Sequence, residues 1–542
     1  MGIFKKHWPV IIPLVALWAT VAVLLVLSVG QNRGHLVYAL DDPYIHMAMA
    51  KNMARHGVWG VDKTGFSSSS SSPLWTLLLS AVFFLFTVNE ISPFVLNIIW
   101  GTLLLLAVYH LLSRYAINST FIFITVLAIA YLAPLPRLIF LGQEHIMHTL
   151  IALFFAYFSA RILSDEKTTL KSYMLLMTLA ALVSLARYEG LFLIFAVCLL
   201  FLLRKRVLHA LLLGGVGLLP TVIYGILSIS KGWYFLPNPV LVKGNVPLVS
   251  SSFSAAGLFT FFVSSLCRAG NQLVINPHVL SLILGALIVF ALRWRKSEGM
   301  WARDGIMGAI FIMATLLHML FARVDGSFRY EAYLVALGLF TVVVQAREYL
   351  TSGVSQTMSG GQFGKYLLST FLVLLFLVPL EARARKALRT TPRATTNIYQ
   401  QQYQMGVFLR EFYQGQGIAA NDIGAINYLA DIRCVDLFGL GDREPVRLVK
   451  EGTYGRQQIF NFVKRNGVKI AVIYERWYQR FGGLPRQWQK VGTWGISDNL
   501  VCAEDEVAFY AVDPAEAAYL NKNLRVFSSR VPEDVVQVVA KP

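Results

Sequence analysis

Charge is scarce in this sequence. Of 542 residues only 14% are Asp, Glu, Lys or Arg, where a soluble globular chain carries about 25%. That shortage excludes an ordinary soluble enzyme and a disordered chain. Cysteine is scarcer still, four in all, which excludes a disulfide-stapled scaffold. Acidic residues are outnumbered 30 to 48, a formal net charge of +18. The basic residues stand between apolar runs of membrane length, so the excess reads as membrane topology and not as a nucleic-acid surface. No nucleotide-binding glycine fingerprint occurs. No internal repeat is visible either, which argues against a transporter.

What is present is apolar sequence, 56% of the chain, and it is unevenly placed. Residues 1–380 hold 26 Lys/Arg and 13 Asp/Glu, about 10% charged. Residues 381–542 hold 22 and 17, about 24%, the figure of a soluble domain. The chain therefore divides into a polytopic helical membrane part, 1–380, and a C-terminal domain, 381–542.

A helix needs about 20 apolar residues to cross the hydrocarbon core. The run 8–29, preceded by Lys5 and Lys6, reads as an uncleaved first span. Basic stretches at 161–171, 204–206, 293–303 and 347–365 are assigned to the cytoplasm. Eleven spans result, with the N-terminus inside and the C-terminal domain outside, in a bacterial inner membrane. The first outer loop covers 30–92. Within it 73–88 is short and starts with proline, so it is expected to lie along the outer leaflet without crossing. The six serines 67–72 read as a flexible hinge. The stretch 173–203 is interrupted by Arg187-Tyr188-Glu189-Gly190. Charges at that depth line polar cavities, so two half-length helices meeting at a sunken turn are expected.

Every unusual polar cluster maps to the outer side. The first loop carries Asp41-Asp42-Pro43-Tyr44, His46, Lys51, Arg55 and His56; later loops carry Arg137, Gln143-Glu144-His145, His148, Arg187, Glu189, Asn238, Lys243, Arg323, Asp325, Arg329 and Tyr330. The loops are expected to converge on one outward cavity. Carboxylates among fixed cations suit the transfer of a sugar from a lipid phosphate. Arg or Lys holds the phosphate leaving group, and a carboxylate takes the proton of the attacking hydroxyl. Other readings stand beside this one. Asp41 and Asp42 are also helix caps in the making. His46 and His56 read as surface residues of the helix that follows, and Arg187/Glu189 as an ion pair at the helix break. Cys198 and Cys267 read as buried hydrophobes.

In the C-terminal domain, 398–415 and 457–466 read as helices. The segments 417–420, 433–437, 468–474 and 506–512 read as short buried strands, a small α/β domain. Its expected role is to shape the acceptor groove.

Several of these islands carry a resemblance. Leu40-Asp41-Asp42-Pro43-Tyr44-Ile45 and Ser70-Ser71-Ser72-Pro73-Leu74-Trp75 resemble the first outer loop of GT-C glycosyltransferases. Gly142-Gln143-Glu144-His145, Leu185-Ala186-Arg187-Tyr188-Glu189-Gly190, and Leu236-Pro237-Asn238 with Lys243 follow in the order of that family. So do Ala420-Asn421-Asp422-Ile423-Gly424 and Val435-Asp436-Leu437-Phe438-Gly439-Leu440 in the soluble domain. The pattern is most similar to the branch holding the mycobacterial arabinofuranosyltransferases that use decaprenylphosphoryl-arabinose. Gln143, His145 and Tyr188 depart from its Met, Thr and Pro.

The resemblance implies a GT-C fold and an inverting transfer of a sugar, arabinofuranose in that branch. The donor is a polyprenyl-phosphate sugar and the acceptor a cell-envelope glycan, lipid or protein. It implies Asp41 as catalytic base with Asp42 beside it. Substrate contacts are expected from Glu144, His145, Arg187, Glu189, Asn238, Lys243, Arg323, Arg329 and Tyr330. Some relatives need a divalent metal, and Asp42, Glu144 and His145 are the candidate ligands. An oligosaccharide ligase for lipid-linked glycans and a lipid-linked sugar flippase are the alternatives. Cys434 and Cys502, both next to expected strands on the outer side, are candidates for a disulfide.

Overall fold

The computed structural model describes residues 2–115, 117–165, 168–243, 255–294, 299–352 and 360–541. Six of its helices are long and apolar enough to cross a membrane: Lys5–Gln31, Ser92–Tyr115, Ser119–Leu141, His145–Ser164, Val207–Ser230 and Arg303–Phe321. The pair Val263–Ile275 and Pro277–Leu292, bent by 97°, makes a seventh when counted as one span. Leu170–Ala186, Gly190–Leu203 and Ala332–Arg347 are shorter apolar helices in the same bundle. With the helix Gly360–Ile398, these account for the segments expected to span. The basic stretches 293–303 and 347–365 fall partly outside the described residues.

Local chemistry explains the element ends. Pro73 opens the helix Pro73–Phe86, with the Ser72 hydroxyl accepting from the Trp75 N–H at 3.4 Å. Fourteen residues reach about 21 Å, short of a hydrocarbon core about 30 Å thick. The break after Ala186 depends on Gly190: a Cβ there would stand 2.4 Å from the Val183 carbonyl oxygen, so only glycine lets the two half-helices meet so closely.

The serine run is not a hinge. Ser67, Ser68, Ser69, Ser70 and Ser72 are buried and knitted together. The Ser69 hydroxyl donates to Ser67 at 3.0 Å, Ser70 bonds Thr76 at 2.9 Å, and the Ser68 carbonyl accepts from the Asn238 N–H at 2.9 Å. Serine is the small residue that satisfies its own backbone neighbourhood when packed this tightly.

The helix Gly360–Ile398 continues unbroken past residue 380. A π turn, Tyr399–Tyr403, and the helix Gln404–Phe412 then lead into the α/β domain. Its sheet has six strands: β1 (Gly417–Ala420), β2 (Arg433–Asp436), β3 (Val468–Ile473), β4 (Gln489–Gly495), β5 (Glu506–Ala511) and β6 (Val536–Val539). Their spatial order is β2-β1-β3-β5-β4-β6. The β1 pairings are parallel and the rest antiparallel. Four strands fall where the apolar runs predict them. β4 and β6 do not, because β4 carries two glycines and β6 is a half-exposed edge. One face of the sheet packs Trp494 against Phe509, ring centroids 4.5 Å apart, with Phe408 and Phe527 beside them.

The sheet order also rules on the cysteines. β1 and β3 stand between β2, which holds Cys434, and β5, which Cys502 precedes. Both thiols are free, and the expected disulfide is not formed. The Cys502 thiol donates instead to Gln402 Oε1 at 3.3 Å. Burial pushes both thiols well above their ordinary range. Cys267 is exposed and Cys198 half-buried, so neither is the fully buried hydrophobe expected.

The two parts meet at the loop helix Asp42–His56, which clamps the short helix Gly424–Leu429 of the soluble domain at both ends. Asp41 accepts from the Gly424 and Ala425 N–H groups at 2.6 and 2.8 Å. Lys51 donates to the Asn427 and Tyr428 carbonyls, both at 2.8 Å. A carboxylate thus satisfies the free donors of one terminus and an ammonium the free acceptors of the other.

Candidate active site

A cavity of about 300 Å³ lies where the first loop, the Arg187–Glu189 break and the loop carrying Arg323 and Arg329 converge, with Leu440 of the C-terminal domain in its wall. Its polar lining includes Asp42, Gln143, Arg187, Glu189, Lys243 and Arg329. Arg323 and Tyr330 also line it. His46, Ser69 and Ser71 add further polar groups, and Leu191, Phe192, Leu236, Val240 and Phe321 make an apolar side.

Asp42 sits between two cations. Lys243 Nζ donates to its two oxygens at 2.9 and 3.0 Å, and Arg329 Nη2 to Oδ2 at 2.7 Å. Burial pushes the carboxyl up; the Lys243 ammonium and Arg329 guanidinium outweigh it, and the group is held well below the usual carboxylate range. Arg329 is aimed by Gln143 Oε1 at 2.6 Å and by the Tyr330 hydroxyl at 3.0 Å, and it lies over the Tyr330 ring at 4.7 Å.

Asp41 has a different position. Both its oxygens accept the Gly424 and Ala425 N–H groups, and it is absent from the cavity wall. Gly424 permits this approach, since a Cβ there would stand 2.2 Å from the Asp41 carbonyl oxygen. Burial, then the charge of Asp422, push the Asp41 carboxyl up against the opposing N–H bonds. Asp41 does cap a helix, but one contributed by the soluble domain, and it makes no side-chain cap bond to its own.

Glu144 and His145 do not line the cavity. Glu144 is fully buried and paired with Arg187, which also bonds Glu189 at 2.7 and 3.1 Å. His145 is buried, its ring edge-on to Tyr330 at 5.9 Å. Among the described residues no three His, Cys, Asp or Glu side chains are grouped to hold a metal ion. Asp42 is paired with Lys243 and Arg329, and Glu144 with Arg187, and the candidate ligands Asp42, Glu144 and His145 are not grouped together. Asn238 is buried and donates to the Gly439 and Asp442 carbonyls at 2.8 and 3.0 Å. It ties the cavity wall to the soluble domain.

The first-loop cluster is split. Asp42 and His46 face the cavity, whereas Lys51 and Arg55 line a separate one, so the polar residues do not converge on a single space. His46 is buried, not on the surface. Its Nδ1 lies 2.9 Å from Thr76 Oγ1 and its Nε2 3.9 Å from Glu144 Oε2. Ser69, Ser71 and Leu440 are lining residues that the sequence did not single out, and His46, named in the first-loop cluster, lines the cavity although it was not among the expected substrate contacts. The spacing of His46 four residues after Asp42, one helical turn, was the available signal.

Residues 396–510 match the sequence model of a family described as "Domain of unknown function (DUF8728)". No curated protein matches the chain. Among solved structures the chain is similar to the crystal structure of ArnT from Cupriavidus metallidurans bound to undecaprenyl phosphate. The identity is 14% and the TM-score 0.50, over 94% of this chain and 99% of that one. The likeness gives the fold: the chain is a polytopic helical membrane protein of the GT-C architecture with a C-terminal α/β domain.

Proposed function

We propose that the protein is a glycosyltransferase that moves a sugar from a polyprenyl-phosphate donor to a hydroxyl of a cell-envelope glycan, lipid or protein. The observation that carries this reading is the Lys243–Asp42–Arg329 cluster in a cavity that also has an apolar side. Two fixed cations suit a phosphodiester. The apolar side, with Leu191, Phe192 and Phe321, suits the first isoprene units. The likeness to a structure holding undecaprenyl phosphate supports the same donor class.

The chemistry follows from the positions. Donor phosphate takes over Lys243 and Arg329, and Asp42 is released from them. Its basicity then rises, because the two charges that held it down are neutralised by the phosphate. The acceptor hydroxyl attacks the anomeric carbon from the face opposite the phosphate. The new C–O bond forms as the bond to the phosphate oxygen breaks, the hydroxyl proton passes to Asp42, and polyprenyl phosphate leaves. The anomeric centre inverts. Asp42 is preferred to Asp41 as base because only Asp42 lines the cavity; Asp41 is the positioning residue that anchors the loop to the soluble domain. Arabinofuranose is the first sugar to test, given the sequence resemblance. The cavity opens to the outer face of the inner membrane in this reading, with the soluble domain above it.

The test is sugar transfer by purified protein in detergent, using synthetic polyprenyl-phosphate pentoses and hexoses. Release of polyprenyl phosphate with at least one donor, abolished in Asp42→Asn, is expected. No release with any donor, or full activity in Asp42→Asn, sinks the reading.

A further inference from the structure

A second cavity, about 340 Å³, opens at the seam between the loop helix and the soluble domain. Lys51 and Arg55 come from the loop helix, Glu90 from the link before Ser92, Arg410 from the helix Gln404–Phe412, and Tyr428 and Asp431 from the far end of the clamped helix. None of these side chains reaches the first cavity.

The charges in this wall do not cancel. Asp431 is spent on Lys63, 2.9 Å away. Glu90 is the one carboxylate left, against Lys51, Arg55 and Arg410. Arg55 and Arg410 make no ion pair among the described residues. Lys51 is buried and uses two of its three N–H donors on the Asn427 and Tyr428 carbonyls. Burial lowers it to about 8, so the charge it carries at neutral pH sits where an added anion would stabilise it. Arg55 and Arg410 are both exposed in the one cavity, and guanidinium forks suit the paired oxygens of a carboxylate or phosphate.

The position decides what such an anion belongs to. Asp42 and Arg55 are 13 residues apart on one helix, about 20 Å at 1.5 Å per residue. A group bound at Arg55 is therefore several sugar rings from the reacting hydroxyl. A sugar donor is too short to reach with its phosphate at Lys243, and the prenyl tail belongs to the apolar wall. A long acceptor fits.

We propose that the Arg55–Arg410 cavity is an acceptor subsite that binds carboxylate or phosphate groups of an acidic oligosaccharide whose far end lies at Asp42. The word acceptor rests on the glycosyltransferase reading; the binding itself does not.

Full-length protein in detergent is titrated with tetragalacturonate, a phosphorylated mannose oligosaccharide and neutral maltotetraose. At least one acidic probe binds and maltotetraose does not; which acidic probe binds tells carboxylate from phosphate. In Arg55→Gln/Arg410→Gln the acidic affinity falls by about tenfold or more, while polyprenyl-phosphate binding and melting temperature are unchanged. Equal binding of the neutral probe, no binding of either acidic probe, or unchanged affinity in the double variant overturns the subsite. If acidic glycan binds as expected but no polyprenyl-phosphate sugar is turned over, the subsite stands and the catalytic reading falls.

Discussion

The Asp42 carboxylate and the Arg329 guanidinium meet at 2.7 Å across 287 residues of chain. Arg329 is almost buried, its side chain 7% exposed, whereas Asp42 keeps 22%. The pair is thus open on the carboxylate side, where Lys243 also approaches. A buried cation whose partner is partly solvated is poised to exchange that partner for another anion.

That exchange predicts opposite effects of Asp42→Asn on two measurements. Turnover is lost, since a carboxamide takes no proton. Affinity for polyprenyl phosphate rises, because the internal competitor is gone. Binding by calorimetry alongside the transfer assay checks both; a fall in affinity would contradict the exchange. Asp41→Asn, by contrast, leaves measurable turnover but lowers the melting temperature, as one N–H of the Gly424–Ala425 pair loses its acceptor.

Removing either cation weakens the donor site. Lys243→Ala and Arg329→Ala each cost about 2–5 kcal/mol in polyprenyl-phosphate binding, the range for truncating one partner of a buried charge pair. Gln143→Ala costs less, since it only frees Arg329 to turn. If the Gln143 variant binds worse than the Arg329 variant, the order of roles is wrong.

The soluble domain carries its own pH signature. Burial, then the Asp436 charge, push the Asp442 carboxyl up to about 8. The native state then holds a proton that the unfolded chain has lost between about pH 4 and 8. Stability contributed by this group is present below pH 4 and falls as pH rises through that window. Asp442→Asn keeps an oxygen to accept the Asp436 N–H and removes the slope. It melts about 2–4 °C above the parent at pH 8 and not at pH 4. The gain is modest because Asp442 is half-exposed. Equal melting shifts at both pH values would refute the assignment.

Four free cysteines give four N-ethylmaleimide adducts when the protein is alkylated during denaturation without reductant. Two adducts fewer would restore the Cys434–Cys502 bond.

The membrane character, the broken helix at Arg187–Gly190 and four of the six strands follow from the sequence. Each is a local property: apolar length, charge density, a glycine after a charged pair, a short apolar run. The sequence also named the residues that build the cavity, Asp42, Arg187, Glu189, Lys243 and Arg329, because polar groups in an apolar chain need a polar partner. It had no means of ranking Asp41 against Asp42. Adjacent side chains at the start of a helix point in different directions, and which one meets the cavity depends on where the Gly424 and Ala425 N–H groups, almost 400 residues on, come to rest. The same holds for the serine run, buried with its Ser68 carbonyl bonded to the Asn238 N–H, and for Cys434 and Cys502, kept apart by two strands between them. Pairing across the fold decided these, and pairing energy depends on positions that no window of sequence contains.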